Sequence, residues 1–341
     1  AFIMKKAFLM VAAAAAMLVT GFTACKSNSP EPPEPPKPPL PKEIDIYVAG
    51  IDESGAEDAA KVWKNGKELY SLTDGSKFAA AYSVFVVGGD VYTAGSEYNN
   101  STNNVAKVWK NDKELYELTD GSNDASAKSV FVADDKVYTA GYDGGVAKLW
   151  KNKSATDLTD GSKGASANSV FVAGSNVYTA GYDGFVVKVW KKGSEHLVLT
   201  NGSNNASAYS VFVVGEDVYT AGYESNGTYN VAKVWKNKKE IFHTDGTKDA
   251  YAYSVYVVGD DVYVAGGEGG VTKVWKNGEE LYELADKCHA NSIVVYNGDV
   301  YVAGFEGEGS NLEPKVWKNG KELYSLANKG DARSIFIVEK K

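Results

Sequence analysis

The sequence predicts an all-β fold: a seven-bladed β-propeller of four-stranded antiparallel blades, closed by pairing of the C-terminal strand with the N-terminal blade. Three observations carry that expectation. All seven tryptophans of the 341-residue chain lie in one motif, Lys-Val-Trp-Lys or a near copy, around Trp63, Trp109, Trp150, Trp190, Trp235, Trp275 and Trp317. Their spacing of about 42 residues is the mark of a radial or stacked repeat. The ends of the array are complementary, since 45–50 reads as a second strand and 334–338 as a first strand. A blade completed by both termini leaves no open sheet edge, whereas an open solenoid needs capping repeats, and none is visible.

The N-terminus reads as an address. Met4-Lys5-Lys6 begins it, with Ala1-Phe2-Ile3 as an over-extended start, and an apolar run over 7–19 follows. That run is shorter than the roughly 20 residues of a membrane-spanning helix, and it suits a secretory signal over 1–24. Phe22-Thr23-Ala24-Cys25 resembles the bacterial lipobox, with Phe22 where Leu is usual. The resemblance implies cleavage before Cys25 and its diacylation. More than one acyl chain on one residue is enough for stable anchoring. A tether over 25–42 holds eight of the nine prolines. Such a stretch favours polyproline II, and twelve residues of it give about 37 Å of stand-off. The folded domain is expected over 43–341.

Each repeat contains four β-like stretches, in one copy 169–173, 176–180, 186–190 and 196–199. Alternating Val, Phe, Tyr and Thr suit a half-buried pleated surface. Two-residue turns join first to second strand (Gly88-Gly89, Asp134-Asp135, Asn297-Gly298) and third to fourth (Asn65-Gly66, Asn277-Gly278, Asn319-Gly320). Asn and Gly supply the positive φ that tight hairpins require. A four-stranded meander of this length is a propeller blade. Over 44–338 the chain resembles seven-bladed β-propeller lipoproteins of Gram-negative bacteria. Its Trp-Lys-Asn-Gly motif is specific for the repeat and silent on activity. The Gly-His and Trp-Asp pairs of WD40 repeats are missing, as is the Asp-box of sialidases.

Both tight turns of a blade fall on one face, and the longer connections fall on the other. The second face is the candidate functional one, because binding residues favour variable loops on a rigid scaffold. Ala-x-Ser opens every first strand, and its variable residues are Tyr82, Lys128, Asn168, Tyr209, Tyr253, Asn291 and Arg333. If the first strand is innermost, these large hydrogen-bonding side chains gather at the mouth of the central channel and are the candidate ligand-binding residues. A ring of acids, Asp52, Glu97, Asp143, Asp183, Glu224, Glu268 and Glu306, is expected mainly to pair with the Lys before each Val-Trp or Leu-Trp. Long second-to-third-strand loops are expected after Asp52, Glu97, Glu224 and Glu306. Thr-Asp-Gly, at Thr73, Thr119, Thr159 and Thr244, is ordinary turn chemistry. No loop offers the six or more oxygens of a calcium site, so no metal or cofactor is expected.

Catalysis has little to build on. His196 and His243 fall in outer strands. Cys288 and His289 are adjacent in an extended strand and point to opposite faces, which spoils a nucleophilic dyad. With Cys25 acylated, Cys288 is the one free thiol and no intramolecular disulfide forms. A net charge of −8 argues against nucleic acid. The expected protein is therefore a monomeric outer-membrane lipoprotein of the bacterial envelope, a binding or scaffold propeller for a glycan or protein ligand. A glycosidase-like enzyme on the same fold and a purely structural envelope protein are the alternatives.

Overall fold

The computed structural model describes residues 42–99, 102–284 and 287–340. The expected signal peptide, Cys25 and all of the tether but Lys42 lie outside the described residues. The described chain forms seven four-stranded antiparallel sheets. Blade 1 is built from both termini: Gly330–Glu339 is its first strand, followed by Ile44–Asp52, Ala59–Lys64 and Lys67–Ser71. The pairing of Ile44–Asp52 with Gly330–Glu339 closes the ring. The other first strands are Ala79–Val87, Ala125–Ala133, Ala165–Ala173, Ala206–Val214, Ala250–Val258 and Cys288–Tyr296, in blades 2 to 7.

The first strands are the innermost. Phe336, Phe85, Phe131, Phe171, Phe212 and Tyr256 run from blade to blade with neighbouring ring centres 4.5–5.2 Å apart. An inner strand is also an edge strand, with amides that no further strand can take. Here the Ala-x-Ser serine takes one in every blade. Its Oγ accepts the backbone N–H of the Val or Ile two positions beyond the variable residue in the next blade, as Ser83 does for Val130 (3.1 Å) and Ser129 for Val170 (3.1 Å). The same bond recurs at every blade junction, and Ser334 to Val84 (3.2 Å) carries it across the closure.

Between blades the core is apolar. Trp109 of blade 2 is buried with Tyr47, Ala49 and Val62 of blade 1, and Trp317 of blade 7 with Tyr263, Ala265 and Val274 of blade 6. The tryptophan repeat is thus the glue of neighbouring blades, since a large aromatic buried on both sides removes much apolar area from water. On the short-turn face the Asn of the third-to-fourth turn does double duty in five blades, those of Asn65, Asn111, Asn237, Asn277 and Asn319. Asn65 sits at φ 50°, its Oδ1 accepts the Ile46 N–H (2.8 Å), and its amide donates to Asp45 (2.8 Å).

Two expectations about extents need correction. First strands begin four residues before the stretch read from sequence, as Ala165–Ala173 shows, because they continue through a β-bulge at the variable residue. The segment after Glu306 is not a long loop: Asp299–Glu308 pairs on to Asn311–Lys318, leaving a two-residue turn at Gly309 and Ser310.

Removing the serine ring one member at a time should weaken the closure without altering the apolar core. Ser129→Ala leaves the Val170 N–H without its protein acceptor and should cost about 1 kcal/mol in denaturant unfolding. An equal loss is expected for Ser334→Ala, which acts at the junction of the termini.

Candidate functional site

The variable residues owe their placement to the bulge. In blade 2 Ala81 pairs with Gly95 and Ser83 with Ala94, so Tyr82 is the extra residue of the inner strand; the same shift occurs in every blade. A bulge re-aims side chains that strict alternation would send elsewhere. It also explains the Ala-Gly of every second strand. A Cβ on Gly181 would lie 1.9 Å from the Ser166 carbonyl oxygen, and one on Gly95 would lie 2.0 Å from that of Ala80. Only glycine lets the bulged backbone approach so closely.

All seven variable residues line one cavity of about 1210 Å³ at the channel mouth. This exceeds the roughly 300–1,000 Å³ typical of small-molecule sites. Their chemistry is divided around the ring. Blades 5 to 7 present an aromatic arc: Tyr209 packs on Tyr253 (5.2 Å) and Tyr223 (5.8 Å), Tyr253 on Tyr251 (5.6 Å) and His289 (4.4 Å), and His289 is parallel to Phe305 (5.0 Å). Blades 1 to 3 present a cationic sector. Lys128 Nζ lies 3.9 Å from the Tyr82 ring centre, and the Arg333 guanidinium lies 4.7 Å from the same ring.

The remaining two close the ring between these sectors and are partly committed to structure. Asn168 donates to the Ala208 carbonyl of the next blade (2.8 Å), and Asn291 donates to Asp331 (2.7 Å) and the Ala332 carbonyl (3.0 Å).

Burial and charge set the titration of the mouth. Burial pushes the phenols of Tyr209 and Tyr253 up, and each sits among other tyrosines that add to the effect. At Tyr82 burial acts the same way, but Lys128 and Arg333 outweigh it and hold the phenol below its usual value. Burial depresses the Lys128 ammonium; Arg333 adds to this, and Tyr82 opposes it. His289 is held below the usual imidazole range by burial, with Asp331 opposing.

His289, Phe305, Tyr223 and Asp331 also line the cavity, and sequence reasoning missed them. The available signal was period 2: His289 and Asp331 stand two positions before Asn291 and Arg333, while Tyr223 and Phe305 follow the Ala-Gly of the second strand. Phe185, in a second-to-third-strand turn, stands at the rim and is 57% exposed.

The other expected features are placed elsewhere. In six blades the acid of the ring bonds the third-strand lysine, as Asp52 does Lys61 (2.8 Å) and Glu97 does Lys107 (2.7 Å). Blade 3 departs: Lys148 pairs with Asp157 (2.7 Å), and no Asp143 bridge to it lies within 4 Å. In the long connection after Glu97 two asparagines are spent internally, Asn103 on the Gly121 carbonyl (3.0 Å) and Asn104 on Asp124 (2.9 Å), while Asn100 lies outside the described residues. In the Thr-Asp-Gly turns Thr73 accepts the Ala60 N–H (3.1 Å) and Asp74 the Ser76 N–H (2.9 Å). His196 and His243 lie in outer strands, and Cys288 is buried.

No protein-family model matches the chain, and no curated protein does. Among solved structures it is similar to a chain in the crystal structure of a nidogen/laminin complex, at 8% identity and a TM-score of 0.44, covering 86% of this chain and 98% of that one.

Proposed function

We propose that the protein is a glycan-binding propeller that takes its ligand at the channel mouth, anchored to the bacterial envelope by a lipid on Cys25. One observation carries the binding reading: seven bulge residues, the position at which an otherwise repeated inner-strand frame is free to vary, converge on a single large cavity. Tyr209 and Tyr253 supply broad apolar faces with polar ends, the side chains that dominate recognition energetics. Binding is favoured over hydrolysis by the acids present. Among the described residues the cavity lining holds one carboxylate, Asp331, already bonded to Arg333 (2.8 Å) and Asn291, where a glycosidase uses two.

A protein ligand is the second reading. It is favoured by the aromatic residues exposed on the same face, Phe78, Tyr98, Phe185 and Tyr229. The anchor rests on the lipobox-like residues and the proline tether of the sequence alone.

A glycan array probed with the full chain in detergent should show selective binding. The combined change Tyr82→Ala, Tyr209→Ala and Tyr253→Ala should weaken that binding at least about 10-fold, each tyrosine contributing on the order of 1 kcal/mol or more. Unchanged affinity in a variant that still melts cooperatively removes the mouth from the mechanism. For the anchor, Cys25→Ser should move the chain from the membrane fraction to the soluble one on cell fractionation; retention in the membrane refutes lipidation.

A further inference from the structure

The sign of the mouth is opposite to that of the chain. The whole sequence carries a net charge of −8, yet the cavity lining contains Lys128, Lys163 and Arg333 against the one carboxylate of Asp331. Lys128 is the one of these three that is both withdrawn from solvent and outside any ion pair among the described residues. The lysine before Val-Trp or Leu-Trp has a carboxylate within 4 Å in every blade, but among the described residues Lys128 has none. Its ammonium lies over the rings of Tyr82 and Tyr142, 3.9 and 5.7 Å from their centres.

The acid closest in sequence, Asp124, is occupied. It accepts from the Asn104 side-chain amide (2.9 Å), the Asn104 backbone (3.1 Å) and the Tyr142 hydroxyl (3.0 Å). Arg333 spends Nε on Asp331, and its terminal nitrogens have no hydrogen-bond acceptor among the described residues.

A partly buried ammonium with no carboxylate in ion-pair reach loses hydration, and only the more distant Asp124 offsets the loss. An anionic group entering from the cavity would supply that compensation through charge-assisted hydrogen bonds, which are shorter and stronger than neutral ones. The planar fork of Arg333 matches the geometry of carboxylates and other oxyanions. The aromatic arc lies across the same cavity and offers ring faces, which suit a sugar ring rather than a free ion. One ligand chemistry meets both halves.

We infer that the mouth selects acidic glycans: an anionic sugar, carboxylated or sulfated, is held at the Lys128–Tyr82–Arg333 sector while a neighbouring sugar ring lies on the Tyr209–Tyr253 arc. The inference rests on the glycan-binding reading and adds the ligand's charge and its orientation across the mouth.

The test is calorimetric titration of the full chain with four oligosaccharides: tetragalacturonate, its fully methyl-esterified form, a sulfated uronate-free galactan tetrasaccharide, and cellotetraose. Methyl esterification removes the charge and keeps the ring. An acid, carboxylated or sulfated, should bind at least about 10-fold more tightly than the neutral sugars, the size of one charge-assisted hydrogen bond. The comparison of galacturonate with sulfated galactan identifies which oxyanion the sector prefers.

Lys128→Met should weaken the acids much more than the neutral sugars and so collapse that margin, and Lys128→Arg should keep it. Cooperative melting of each variant checks its fold. If the Met variant does not fold, the wild-type margin and the Arg variant decide. Equal binding of acid and methyl ester, lost in Tyr209→Ala with Tyr253→Ala, overturns the acidic preference and leaves the glycan reading standing. A preference for acids that survives Lys128→Met overturns the assignment to this sector. No binding of any of the four overturns both readings and directs the search to a protein ligand.

Discussion

Seven inner strands each leave an edge facing the channel, and the ring exists because every one of those edges is answered by a serine of the neighbouring blade. Ser83 to Val130, Ser129 to Val170 and so on to Ser334 to Val84 form a circuit of side-chain-to-backbone hydrogen bonds of 3.1–3.2 Å. A serine can reach the next blade because the strand bulges at the residue before it, and the strand can bulge because the facing residue is glycine. Serine, bulge and glycine are therefore one device repeated seven times. The tryptophans then fill the wedges between blades that this circuit has set side by side.

The device leaves one residue per blade with no part in the frame. The variable residue is the extra residue of the bulge, so its side chain is turned out of the regular alternation and into the mouth. Its identity is free wherever backbone and neighbours already hold the blade. Asn168 and Asn291 use that freedom to tie one blade to the next, and the other five leave their side chains to the cavity. The acid ring on the same face is the contrast. It is nearly seven-fold symmetric, and its members are taken up by lysines of their own blades, as a feature that builds blades should be.

The sequence-legible part of this molecule is what depends on local chemistry. Asn65-Gly66 and its counterparts are readable because a two-residue turn needs positive φ, and the structure places Asn65 at 50° and Gly66 at 78°. Closure is readable because residues 45–50 and 334–338 each complete what the other lacks. The bulge is not readable, since it is a mismatch of register between two strands and each strand taken alone looks regular. Blade 7 misleads for a related reason: Gly307 and Gly309 after Glu306 look like loop, but the pairing of Glu308 with Asn311 extends the hairpin through them. His289 is hidden by its neighbour Cys288, which draws the eye to a dyad, while the relevant relation is to Asn291 two positions on.

The hardest feature to foresee is the cationic sector, because it joins the two ends of the chain. Arg333 belongs to the C-terminal strand, Tyr82 to blade 2 and Lys128 to blade 3; only ring closure brings Arg333 and Lys128 to the same tyrosine. The electrostatic consequence follows from how the acids are spent. Six of the seven ring acids on the long-loop face are taken up by lysines of their own third strands, at Lys61, Lys107, Lys188, Lys233, Lys273 and Lys315. Asp124 is consumed by Asn104 and Tyr142, and Asp331 by Arg333 and Asn291. What is left over in the mouth is positive, on a chain that is negative overall. Long-range attraction for an anion is weak there, because the field of the whole molecule opposes it and salt screens it within about 10 Å. The mouth therefore discriminates by contact and not by steering, and that discrimination favours a ligand carrying ring and charge together over a small anion.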